Sequence, residues 1–138
     1  TAGTPGPADG LWQGTCFELF VARQDHEAYR EFNFSPSGRW ASYAFLRERE
    51  RTPTDSGPQT PHPPRSEWLS APEPVQQVWL PAVLLPERPW CVGLSAVLAH
   101  LDGRLAYLAL RHPKERPDFH DRRGWTLHPE LPPFPAHR

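Results

Sequence analysis

The sequence predicts an all-β fold, a β-sandwich or jelly roll, on three observations. Residues 11–45 read as three consecutive strands that carry polar side chains on one face. Nineteen prolines among 138 residues argue against a helical protein, because proline removes a backbone donor and breaks a helix interior. Asp102-Gly103 stands between two apolar runs, the pair that favours a tight hairpin turn.

The elements follow in chain order. Residues 1–10 form a Gly/Pro/Ala lead-in without periodicity and read as an extended loop. Residues 15–22 give the first strand, residues 23–27 a turn, and residues 29–34 a second strand that ends at Ser35-Pro36-Ser37-Gly38. Residues 39–45 return as the third. Residues 47–72 are charged and proline-rich without apolar periodicity and read as a long loop, with Trp68 and Leu69 able to tack it to the body. Residues 75–80 form a short strand, and the proline-bounded residues 81–86 a turn or one helical turn. Residues 90–100 and 104–110 form the hairpin around Asp102-Gly103, and residues 124–127 a closing strand. A chain of this length supports one core and is too short for two, so residues 1–138 are expected to form a single domain.

Composition narrows the functional classes. Hydrophobic residues make up 38% and charged residues 22%, as in globular proteins, and no run of about 18 apolar residues is present to span a bilayer. A net charge of -1 supplies no field to recruit nucleic acid or an anionic membrane, so neither is an expected partner. Nothing in residues 1–10 joins a basic stretch to an apolar core as a leader would, and the compartment stays open, with the cytoplasm slightly favoured. Cys16 and Cys91 each lie in an apolar run, where free buried thiols are the common state.

Candidate ligand chemistry lies on the first strands. Alternation puts Phe17, Leu19 and Val21 on one face and Cys16, Glu18 and Phe20 on the other. In the second strand Arg30, Phe32 and Phe34 oppose Tyr29, Glu31 and Asn33. A sandwich with one buried face would bury Phe32 and Phe34 and leave Glu31 and Asn33 opposite, with Glu18 half-buried beside Phe20. A carboxylate there is costly unless partnered, which admits two readings. In one, Glu18 or Glu31 pairs with Arg30 or Arg39 across strands. In the other, Glu18, Glu31 and Asn33 hold a hydroxyl-rich ligand on which Trp12 or Trp40 stacks.

These residues also carry a resemblance. LWQGTCFELF followed by YREFNFSPSGRWASYAF resembles the DOMON-like relatives of family 9 carbohydrate-binding modules. The stretch WLPAVLLPERPWCVGLSAVLAHLDGRLAYLALRHPKERPDFH is similar to the second half of those domains, so the likeness spans residues 10–127, with residues 47–72 matched poorly. The resemblance implies an immunoglobulin-like or jelly-roll β-sandwich in which two tryptophans clamp a sugar ring and carboxylate, amide and Arg groups hold its hydroxyls. By that likeness Trp12 and Glu18 are the first tryptophan and its acidic partner, Arg39 the arginine and Trp125 the second tryptophan. Such domains begin with further strands, so the short lead-in implies missing N-terminal strands and an open sheet edge near Leu11 able to associate. Cytochrome-type members ligate haem through Met and His; this chain contains no Met, so no haem and no other cofactor is expected.

His112, Asp118 and His120 are suitable ligand types for a divalent ion, but their spacing matches no defined metal motif, and loop hydrogen bonding is the plainer expectation. His26, His62 and His137 read as solvated. No nucleophile elbow, phosphate loop or Cys-His pair is present, which makes an enzyme the weaker expectation. The sequence therefore leads to a non-catalytic module for a carbohydrate or similar polyhydroxyl ligand, with a structural or protein-interaction sandwich as the alternative.

Overall fold

Strand periodicity governs the chain, and the computed structural model describes residues 6–55, 57, 60–70 and 72–130. Among the described residues nine strands run in order: β1 (Gly6–Pro7), β2 (Cys16–Arg23), β3 (Tyr29–Phe34), β4 (Arg39–Arg47), β5 (Glu50–Arg51), β6 (Arg65–Leu69), β7 (Val75–Trp79), β8 (Trp90–Ala99) and β9 (Leu105–Ala109). The helical elements among the described residues are three 3-10 turns, Leu11–Gln13, Ala82–Leu84 and Arg122–Gly124. The fold is all-β and sandwich-like. One sheet has the order β1-β4-β3-β2-β8-β9, with β5 attached to β4, and β6-β7 form a separate two-stranded sheet.

Turn chemistry sets the register. Between β3 and β4, Gly38 takes a left-handed φ of 87° that a side chain would resist, and Ser35 N–H donates to the Arg39 carbonyl at 2.9 Å. This pairs Phe34 with Trp40 and Glu31 with Tyr43. Gly103, also at φ 87°, closes the β8-β9 turn as expected from Asp102-Gly103.

The main sheet is buried on both sides, which corrects the expectation of one buried face. One side carries Val21, Phe32, Phe34, Trp40 and Val92 and packs against Leu84, with Val78, Leu80 and Leu85 half-buried around it. The other carries Phe20, Ala22, Tyr29, Ala41, Tyr43, Phe45 and Cys91 and packs under Trp125 and Phe119, from residues 112–127. Two-sided burial is why β2, CFELFVAR, carries apolar side chains on both of its faces. It also leaves Glu18, Glu31 and Asn33 only 6%, 4% and 0% exposed. Both cysteines are free and buried.

Other expectations are corrected. The lead-in contributes β1, which pairs in parallel with β4; its residues 1–5 lie outside the described residues. Within residues 47–72, expected as loop, β5 pairs with β4 and β6 pairs with β7; backbone pairing here does not depend on an apolar pattern. Trp68 does meet the body, edge-on to Phe17 with centroids 5.9 Å apart. The closing strand at 124–127 is instead the end of a 3-10 turn followed by one antiparallel bridge, Val92 to Leu127. Leu11 itself starts a 3-10 turn and β2 lies between β3 and β8, so among the described residues the sheet path ends at β9 and β1.

Candidate functional site

Strand pairing arranges one face of the main sheet in transverse rows. One row runs Gly93, Phe20, Glu31, Tyr43; the next runs Ala109, Ser95, Glu18, Asn33, Ala41. Cys91, Ala22, Tyr29 and Phe45 lie in a row on one side, and Cys16, Val97 and Tyr107 on the other. A cleft of about 690 Å³ opens over this face. Glu18 and Glu31 line it together with the aromatic rings of Trp12, Tyr43, Phe45, Tyr107 and Phe119, and with His120. Arg49, Arg51 and Arg116, all exposed, also line it.

Glu18 and Glu31 sit diagonally on adjacent strands, close enough for a protonated carboxyl of one to bond the other. Burial, then the neighbouring Glu31, push the Glu18 carboxyl well above the usual carboxyl range, so it keeps its proton at neutral pH and donates it toward Glu31. Glu31 Oε1 also lies 3.3 Å from His120 Nε2. The His120 ring is held by Tyr29, whose hydroxyl is 2.7 Å from Nδ1 and accepts the Arg49 backbone N–H at 3.0 Å. The tautomer that fits both contacts of the neutral ring carries its proton on Nε2, toward the Glu31 oxygen, with Nδ1 accepting from the Tyr29 hydroxyl. Burial lowers the His120 pKa, so the ring is neutral, and burial raises that of Tyr29 to about 12. Arg49, at a left-handed φ of 60°, is kept in that strained turn by the Tyr29 bond and by its guanidinium 2.7 Å from Asp118.

The aromatic rings fix the floor. Phe20 stacks on Trp125 with centroids 5.3 Å apart, and Tyr29 on Phe45 at 4.7 Å. His120 stands edge-on to both Phe20 and Phe45 at 5.1 Å. Trp125 Nε1 donates to the Phe119 carbonyl at 2.9 Å, which joins the turn carrying His120 to the sheet. At the mouth, Trp12 is 43% exposed and sits edge-on to Tyr43 at 6.3 Å. The Arg51 guanidinium lies 4.5 Å over the Tyr43 ring and 2.8 Å from Asp55, and the Tyr43 hydroxyl donates to Asp9.

Of the sequence candidates, Trp12, Glu18 and Glu31 converge on the cleft. Asn33 lies one row position from Glu18 but is sealed, and neither its amide oxygen nor its nitrogen has a hydrogen-bond partner among the described residues. Arg39 is exposed at the start of β4 and does not line the cleft. Trp40 is buried in the opposite core because β4 alternates it away from Tyr43. Trp125 is a buried floor residue behind Phe20, not an exposed clamp. The cross-strand arginine pairing is also corrected. Arg30 points to the other face and reaches Ser42 at 3.3 Å, while the carboxyls meet each other and His120.

The three weak metal candidates do not come together: His112 is exposed, His120 serves the Tyr29–Glu31 chain, and Asp118 pairs with Arg49 and Lys114, each at 2.7 Å. Carboxylate oxygens of Glu48, Asp118 and Asp121 do come within 4.8 Å of one another, but Asp121 is held by Arg123 at 2.7 Å, which keeps its carboxyl well below the usual range. His26 and His62 are exposed, and His137 lies outside the described residues. Tyr43 and Phe45 share alternation with Tyr29 and Glu31, so a paired register would have revealed them. Arg49, Arg116, Phe119 and His120 reach the cleft through tertiary docking, which leaves no periodic signal.

Comparison of the chain with family models, with curated proteins and with solved structures returns no match. Fold and cleft together define an all-β, sandwich-like protein with an aromatic-walled, carboxyl-floored cleft.

The protonated state of Glu18 has a measurable consequence. The folded chain binds that proton more tightly than the unfolded one, so its contribution to stability is full below the ordinary glutamate pKa and is lost as pH rises toward the raised value. Glu18→Gln keeps the shape and a donor for Glu31 without the ionisable group. It is expected to stabilise the protein by on the order of 2 kcal/mol near neutral pH. Thermal melts across pH check this: the variant's advantage should grow with pH and vanish in acid.

Proposed function

We propose that the protein is a non-catalytic binding module for a polyhydroxyl ligand of the carbohydrate class, related to the DOMON-like, family 9 carbohydrate-binding type of sandwich. The observation that carries this reading is the cleft itself, in which aromatic walls lead down to two neighbouring carboxyls. Aromatic rings cover the C–H faces of a sugar, and a carboxyl pair offers acceptors and one donor to its hydroxyls. Trp12, exposed at the mouth, is the ring best placed to stack. Calorimetric titration with neutral mono- and disaccharides is expected to show saturable binding that Trp12→Ala weakens about tenfold. Unchanged affinity in that variant would remove Trp12 from the site.

A second reading, association with a protein partner, is favoured by the β8-β9 end of the sheet. There Leu94, Leu108 and Leu110 are 40%, 53% and 45% exposed beside the terminal strand β9. Sedimentation of the purified protein, with Leu108→Lys as control, distinguishes a monomer from a self-associating species.

A further inference from the structure

We infer that the ligand of this cleft carries a basic amine, as an amino sugar does, and that its ammonium group takes the place of the proton shared by Glu18 and Glu31. The inference deepens the carbohydrate reading and uses the same cleft.

Two carboxyls placed diagonally on neighbouring strands, 6% and 4% exposed, cannot both ionise without a cation between them. The side chain that covers the pair is an imidazole kept neutral by burial, with His120 Nε2 at 3.3 Å from Glu31 Oε1. A neutral hydroxyl could use this pair but would bring no cation to it. An ammonium group offers three donors and one positive charge, which satisfies two ionised carboxylates at once. The walls agree, because Trp12, Tyr43, Phe45 and Phe119 present aromatic rings to the same cleft and ring faces attract cations. No ion pair joins an arginine of the lining to either carboxyl: Arg49 is bonded to Asp118, Arg51 to Asp55, and Arg116 is exposed.

The titratable and charged groups around the dyad come from every packed element, with Tyr107 of β9 and the exposed Arg51 and Arg116 in the same lining. Cys16 lies on β2, Tyr29 on β3, Tyr43 on β4, and His120 on the covering segment, with Glu48, Arg49 and Asp118 behind His120. Burial holds the Cys16 thiol and both tyrosine hydroxyls protonated and His120 neutral at neutral pH. Glu18 is therefore the group that yields a proton. The balance is simple: the ammonium enters with its own protons, Glu18 gives up one, and that proton leaves to solvent.

The experiment is titration calorimetry at about pH 7 in two buffers of different ionisation enthalpy, with glucosamine, glucose and cyclohexylamine as probes. Glucosamine is expected to bind about tenfold or more tightly than glucose, with release of close to one proton. Glu18→Gln, shown folded by its melt, should abolish the proton release and reduce the preference. Equal affinity for glucosamine and glucose, or no proton release, would overturn the inference and leave the sugar reading standing. Cyclohexylamine binding as tightly as glucosamine while glucose fails would support the amine and overturn the sugar reading. No binding by any of the three would overturn both.

Discussion

Gly93→Ala is expected to destabilise the protein by about 3–5 kcal/mol, the range for losing a large buried aromatic contact. Gly93 sits on β8 directly beneath the Trp125 indole. A Cβ there would lie 2.2 Å from Trp125 Cδ1, 2.7 Å from Cγ and 2.9 Å from Nε1. No rotation relieves three such contacts with the core of a ring, so the indole must leave its place on Phe20. Its departure breaks the Nε1 bond to the Phe119 carbonyl and releases the turn that carries His120. Thermal melting measures the loss, and a red-shifted tryptophan emission reports the exposed ring. The substitution should be strongly non-additive with Trp125→Ala, because once the indole is gone the added methyl has nothing to displace. A double variant much less stable than Trp125→Ala alone would show that the clash lies elsewhere.

Phe20→Ala and Phe32→Ala form the second prediction. Their side chains are 1% and 0% exposed on opposite faces of the same sheet, and each truncation is expected to cost about 3–5 kcal/mol. Their functional effects should differ. Phe20 supports Trp125 and stands against Tyr29 and His120, so its loss frees the rings that hold the Glu31 neighbour in place. Phe32 packs with Val21, Phe34, Trp40 and Val92, away from the cleft. At a temperature where both variants remain folded, ligand affinity should collapse in Phe20→Ala and persist in Phe32→Ala. Equal loss in both would mean that the cleft depends on global stability and not on this aromatic floor.

The competing demands on Glu18 explain why a destabilising group is tolerated. Its carboxyl lowers stability near neutral pH, yet it forms half of the pair that gives the cleft its polar floor. Binding sites commonly hold such unfavourable groups, since a ligand that satisfies them gains affinity from the same free energy.

Much of the fold was legible in local pattern. Alternation located β2, β3 and β4, Asp102-Gly103 located the β8-β9 turn, and the prolines excluded long helices, because turn stereochemistry and side-chain period act over a few residues. The same period placed Glu18 and Glu31 on one face. It did not reveal that this face is covered, since burial depends on what docks from elsewhere in the chain. Residues 112–127, read as a loop with weak metal ligands followed by a short strand, fold back over β2 and β8, and this contact turns His120 into the neighbour of Glu31 and Trp125 into a floor. Arg39, Trp40 and Trp125 had the right chemistry for a sugar site, but only register and long-range packing decide whether such a side chain meets solvent, a core or a cleft. Periodicity is a property of the strand; convergence of Trp12, Glu18, Glu31 and His120 is a property of four segments held together by burial of the rings between them.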